Sequence, residues 1–142
     1  MLDRAKDGAV GGGAAPAASS AAASLRQEGN ALFKAGDAAG AELAYSRALE
    51  LEPSSAVLFS NRALVRLQLG RFSDAVADCD ASLQLEATPK ALLRRAAALR
   101  ALGDVETAML DLKRVLALEP KNAQARRELK ELKAVGRIGL AL

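Results

Sequence analysis

From about Ala22 the order of apolar, small and polar positions along the chain repeats. Gly36-Asp37, Gly70-Arg71 and Gly103-Asp104 lie 34 and then 33 residues apart. Small residues keep register before each glycine (Gly29, Ala63, Ala96) and after it (Ala41, Ala75, Ala108). Tyr45, Cys79 and Leu112 follow, then Leu49, Leu83 and Leu116, then Leu51, Leu85 and Leu118. Pro53 and Pro120 close the first and third copies, whereas the second has Ala87 there and a closing loop one residue shorter.

Each copy predicts a helix of about 14 residues, a tight glycine turn and a second helix of similar length. The glycine stands where a helix must end with a positive φ. The small residues stand where two helices cross closely and a larger side chain would overpack. Ser54 or Ser55 can cap the next first helix, and Thr88-Pro89 reads as an N-cap followed by proline at the first helical position. After Pro120, residues 122–135 predict a further helix with a narrow apolar stripe of Ala125, Leu129 and Leu132, which would cap the last repeat. Gly136 is expected to stop it, leaving an apolar tail over 136–142. Residues 1–20, rich in Ala and Gly, are expected to form a flexible leader, since they offer too little apolar surface to offset the entropy of ordering.

This period and pattern resemble the tetratricopeptide repeat, a helix–turn–helix unit of 34 residues. The match covers residues 22–122. It implies an all-α fold: three tandem repeats over about 22–55, 56–88 and 89–122 plus the capping helix, making one domain over 21–135. Such repeats stack into a right-handed α-solenoid whose first helices line the concave face.

Composition agrees and narrows the function. Apolar residues make up 51% of the 142 but aromatics only 3%, the excess being the helix formers Ala and Leu. No apolar run is long enough to span a membrane. There is no basic segment followed by an apolar one at the N-terminus, and Asp3 and Asp7 argue against a transit peptide. A soluble, cytoplasmic, monomeric protein is expected. With no His and the single Cys79, the usual zinc sites, an internal disulfide and every His-dependent triad are excluded. Cys79 falls at a helix-packing position and reads as a buried thiol. No glycine-rich phosphate loop is present, and Asp78 and Asp80, two apart on a helix, face different ways. The expectation is no enzyme, no cofactor and no metal. The basic helix after Lys121 lacks interleaved aromatics, so no nucleic-acid partner is expected either.

The net charge of +3 conceals a sorted distribution. The first helices (about 22–35, 56–69 and 89–102) carry eight basic residues, Arg26, Lys34, Arg62, Arg66, Lys90, Arg94, Arg95 and Arg100, against one acid, Glu28. The second helices carry three bases against ten acids, among them Glu42, Asp78, Glu86, Asp111 and Glu119. If the first helices line the groove, it is basic and attracts an acidic ligand.

Within that groove Arg26 and Asn30 lie one turn apart on the first copy's helix, with Asn61 on the second and Lys90 and Arg94, again four apart, on the third. With Glu28-Gly29-Asn30, Ser60-Asn61-Arg62-Ala63 and Lys90-Ala91-Leu92-Leu93-Arg94-Arg95 around them, these five resemble the two-carboxylate clamp of co-chaperone tetratricopeptide domains. Those domains bind the C-terminal Glu-Glu-Val-Asp of the seventy- and ninety-kilodalton heat-shock chaperones, Hsp70 and Hsp90. The resemblance implies that Asn30, Asn61 and Lys90 hold the terminal carboxylates, with Arg26 and Arg94 completing the cradle. The family has Lys where Arg26 stands, and Arg is a planar fork rather than a point donor. Phe33 and Leu67, about one turn beyond Asn30 and Asn61, are candidate apolar contacts for the peptide's Val; Leu93 replaces an aromatic common in relatives. The Lys90 and Arg94 side chains are expected to lie outside the core. The alternative is a scaffold for an internal acidic motif without a free C-terminus.

Overall fold

Three glycine turns with the same backbone bonds organise the molecule. A computed structural model describes the backbone of residues 16–141 and the side chains of residues 20–136. Gly36, Gly70 and Gly103 have φ of 89°, 75° and 87°. In each turn the glycine N–H bonds the carbonyl three residues back, and the next N–H bonds the carbonyl five back: Asp37 to Leu32 at 2.8 Å, Arg71 to Arg66 at 2.8 Å, Asp104 to Leu99 at 2.8 Å. This closing motif needs a left-handed residue, which glycine adopts without a Cβ penalty.

Among the described residues the elements are α1 (Pro16–Lys34), α2 (Ala38–Leu51), α3 (Ala56–Gln68), α4 (Phe72–Leu85), α5 (Pro89–Ala101), α6 (Val105–Leu118) and α7 (Ala123–Ala141), with no strand. Local chemistry starts them. Asp37 and Asp104 side chains cap α2 and α6, Ser55 rather than Ser54 caps α3, and Thr88 caps α5 with Pro89 behind it. Asn122 Oδ1 accepts from the Ala125 N–H at 2.9 Å and starts α7.

Two boundaries differ from the sequence reading. Helix α1 begins at Pro16, inside the stretch expected to be a flexible leader. Proline suits a first helical position, and the Ala-rich run behind it is strong helix former. The rest of the expected leader, residues 1–15, lies outside the described residues. Helix α7 runs through Gly136 to Ala141 instead of stopping there. A glycine inside a helix costs only about 1 kcal/mol relative to alanine, less than the neighbouring helix formers supply. The side chains of the apolar tail lie outside the described residues.

Each repeat packs its two helices together, and each second helix packs on the next first helix. The register positions are the core: Ala63, Ala41, Ala75, Ala108, Tyr45, Cys79 and Leu112 are all fully buried. Gly29 is where the ring of Tyr45 rests, for a Cβ there would stand 2.6 Å from Tyr45 Cε1. Ala125, Leu129 and Leu132 of α7 close the last cluster against Leu92, Leu112 and Val115. Leu51, Leu85 and Leu118 also repeat, yet remain substantially exposed at the ends of the second helices.

Candidate functional site

The first helices form one layer, with α3 touching α5 directly. An open groove of about 760 Å³ lies along α3 and α5 and reaches the start of α7, floored by Val57, Leu64, Leu67 and Leu93 and lined also by Lys90 and Arg94, with no α1 residue and not Asn61 among its lining. Leu67 thus takes the groove position expected of it. Phe33 is half-buried and packs on the cluster of Tyr45, Leu58 and Val65. Among the expected apolar contacts, only Leu67 belongs to this groove's lining.

The basic layer is not the groove lining that charge counting suggests. Arg62 donates to Asp78 from Nε at 2.9 Å and from Nη2 at 2.7 Å, Arg66 donates to the same carboxylate at 3.0 Å and to Glu42 at 2.8 Å. Arg95 grips Asp111 with two bonds, 2.8 and 2.7 Å, and Arg100 pairs with Glu131. Four of the eight bases therefore bind acids of α2, α4, α6 or α7, joining the layers instead of facing a ligand. The reason is helical geometry. Arg62, Arg66 and Arg95 leave their helices on the side that meets the second-helix layer, where opposite charge sits at hydrogen-bonding distance. Glu86 and Glu119, assigned by sequence to the outer layer, in turn line the groove. It is a mixed groove with a basic wall.

Three of the five clamp candidates are buried. Lys90 is exposed, in the first turn of α5. Arg26, Asn61 and Arg94 are only 8%, 0% and 6% exposed, for Arg94 contrary to its expected place outside the core. Asn61 and Arg94 occupy one register position in successive repeats, which turns both toward the α3–α5 contact. Arg94 Nη1 donates to the carbonyl of Ser60 at 2.9 Å and to its hydroxyl at 2.5 Å, tying α5 to α3 beside Asn61. The Tyr45 hydroxyl donates to Asn30 Oδ1. Arg26 stands one turn before Asn30 on α1. The structure thus joins Arg94 to the residue next to Asn61 and puts Lys90 and Arg94 in one groove.

Sequence reasoning missed Ser60 and Tyr45, whose hydroxyls contact two clamp candidates. A signal for each was present, since neither hydroxyl recurs at the matching positions of the other repeats: Cys79 and Leu112 match Tyr45, and Arg26 and Leu93 match Ser60. Cys79 is fully buried, and burial pushes its thiol up to about 12, so it is protonated and inert at neutral pH.

Chemically the groove offers the Lys90 ammonium, the Arg94 guanidinium and the Asn122 and Gln124 amides, with the Glu86 and Glu119 carboxylates, beside an apolar floor. Charge-assisted hydrogen bonds from such donors suit carboxylates, and the floor suits an aliphatic side chain between them. Stacked helical hairpins with a groove along them define a helical-repeat protein. Residues 89–122 match the tetratricopeptide-repeat family model. The first tetratricopeptide domain of Spaghetti (RPAP3), solved bound to the HSP90 peptide SRMEEVD, is 36% identical with a TM-score of 0.80, over 82% of this chain and 93% of that one. The second such domain of human RPAP3, in complex with the HSP70 peptide SGPTIEEVD, is 34% identical with a TM-score of 0.79, over 82% of this chain and 98% of that one. The rat FK506-binding protein-like is 40% identical over 121 residues, 79% of this chain but 35% of its own length. This chain belongs to the tetratricopeptide-repeat family. It spans about a third of the length of the FK506-binding protein-like relatives and 12–16% of other curated relatives it matches. Among the described residues, no helix is long and apolar enough to cross a membrane.

Proposed function

We propose that the chain is a protein-interaction module of the co-chaperone type, acting in the cytoplasm. Its groove binds the acidic Glu-Glu-Val-Asp C-terminus of Hsp70 or Hsp90 through a two-carboxylate clamp. Lys90 on α5, Asn61 on α3 and Asn30 on α1 hold the terminal carboxylates, Arg26 and Arg94 complete the cradle, and Leu67 receives the aliphatic side chain before them. The observation that carries the reading is Lys90 and Arg94 sharing one groove with the apolar face of α3. The likeness to two domains solved with such peptides supports it. The role is binding, with no catalytic step.

The test is a fluorescence titration with a peptide ending in Glu-Glu-Val-Asp, as the free acid and as the C-terminal amide. The clamp gives a micromolar Kd for the acid, about −8 kcal/mol, and much weaker binding of the amide. Equal binding of both sinks the clamp in favour of a surface for internal acidic motifs.

A further inference from the structure

We propose that Tyr45 and Ser60 are positioning residues for the carboxylate site, an inference that rests on the clamp reading and deepens it. Neither side chain is available to a peptide: Tyr45 is 0% exposed and Ser60 2%. Each instead holds a clamp residue from behind. The Tyr45 hydroxyl donates to Asn30 Oδ1, so the amide's carbonyl end is turned to Tyr45 and the Nδ2 end, the donor a carboxylate needs, is left for the groove side. Ser60 accepts from Arg94 Nη1 with both its hydroxyl and its carbonyl. Two acceptors on one terminal nitrogen fix the plane of the guanidinium and so the directions of its remaining N–H groups.

The fold does not ask for these hydroxyls. The second and third repeats fill the Tyr45 position with Cys79 and Leu112, both fully buried between their helices without a hydroxyl. The Ser60 position is Arg26 in the first repeat and Leu93 in the third. Both hydroxyls thus occur once, each in the repeat where it reaches a clamp residue. Preorganising donors lowers the cost of ordering them when ligand arrives, which is where a positioning residue exerts its effect. Gly29 completes the device. It leaves room for the Tyr45 ring, so that the hydroxyl reaches along α1 to Asn30, the next residue.

The experiment compares Tyr45→Phe and Ser60→Ala with the unaltered chain, titrating each with the free-acid and amidated peptides. Circular dichroism confirms folding at the titration temperature. Each variant is expected to lose about tenfold in affinity for the free acid, about 1.4 kcal/mol, with the amide's affinity unchanged. The acid-to-amide preference therefore falls. A folded variant that keeps the full preference overturns the proposal, as does an equal loss for both peptides, which signals general loosening. Tyr45→Phe retains the ring that packs on Gly29, and Ser60→Ala removes only a hydroxyl, so either one carries the test if the other fails to fold. An unaltered chain that shows no preference refutes the clamp reading itself, a separate and recognisable failure.

Discussion

Replacing Asp78 by alanine tests the assignment of the basic layer to inter-helix pairing. The carboxylate is 3% exposed and accepts three hydrogen bonds, two from Arg62 and one from Arg66. Truncation strands two guanidinium groups that are themselves only 17% and 19% exposed. Removing one partner of a buried ion pair costs about 3–5 kcal/mol. Here Arg62 keeps the Ser46 hydroxyl at 3.1 Å and Arg66 keeps Glu42, which places the loss at the lower end, about 3 kcal/mol. For a domain of this size that lowers Tm by about 10–15 °C. The control is Asp80→Ala, whose carboxylate is 51% exposed and bonds only Arg95 in the pairs seen, so it costs less than about 1 kcal/mol. Thermal and urea unfolding followed by far-ultraviolet circular dichroism measure both variants. Peptide titration below the transition completes the assay: Arg62→Ala destabilises the chain and leaves affinity for the acidic peptide unchanged. If Asp78→Ala is no worse than Asp80→Ala, or if Arg62→Ala abolishes peptide binding, the arginines face the ligand and the pairing account is wrong.

Lys90→Ala costs about 2–5 kcal/mol of peptide binding with Tm nearly unmoved, whereas Arg94→Ala costs similar affinity and also about 1–3 kcal/mol of stability, because Ser60 loses its buried donor; equal melting of the two variants would refute the burial argument. Gly29→Ala gains about 1 kcal/mol of helix propensity but forces a Cβ to 2.6 Å from the Tyr45 ring, a strain of about 1–3 kcal/mol, so a net loss is expected and a raised Tm would contradict the packing. Burial pushes the Glu42 carboxyl up, but the hydrogen bonds and charges of Arg66 and Arg71 outweigh it and hold the group below its ordinary value of 4.5. Its folded pKa is therefore depressed: the stability it adds is present above 4.5 and is lost as pH falls through the lower folded value. Glu42→Gln should lower stability at neutral pH and narrow the gap to the unaltered chain in acid; a gap that widens on acidification would refute the sign.

Features that depend on near neighbours were legible in the sequence. The glycine turns follow from a backbone that only glycine adopts cheaply, and the caps at Ser55 and Thr88 follow from side chains reaching three residues along. The repeat then carried the packing, because Gly29, Ala63 and Ala96 mark the same crossing three times, and the α7 stripe of Ala125, Leu129 and Leu132 needed only the helical period. Gly136 was misleading for a related reason: a glycine stops a helix only when the chain around it favours stopping, and one glycine costs too little to decide that alone.

What the tertiary structure alone decided was the direction of the charged side chains. Arg62 and Arg94 both stand on first helices and count equally in the sequence. One turns outward to Asp78 on α4, and the other turns inward to Ser60 on α3. Residue type and spacing assign a helix face only relative to its own axis; the partner on that face comes from elsewhere in the chain, sixteen residues away for Asp78 and thirty-four for Ser60. A low-dielectric contact between layers rewards whichever pairing the packing brings to hydrogen-bonding distance, so the sum of charges on a helix does not foretell the field in the groove. The sequence sufficed for the solenoid and for the five candidate clamp residues. The stacking of its helices decided which charges hold the layers together and which hydroxyls contact the candidate clamp residues.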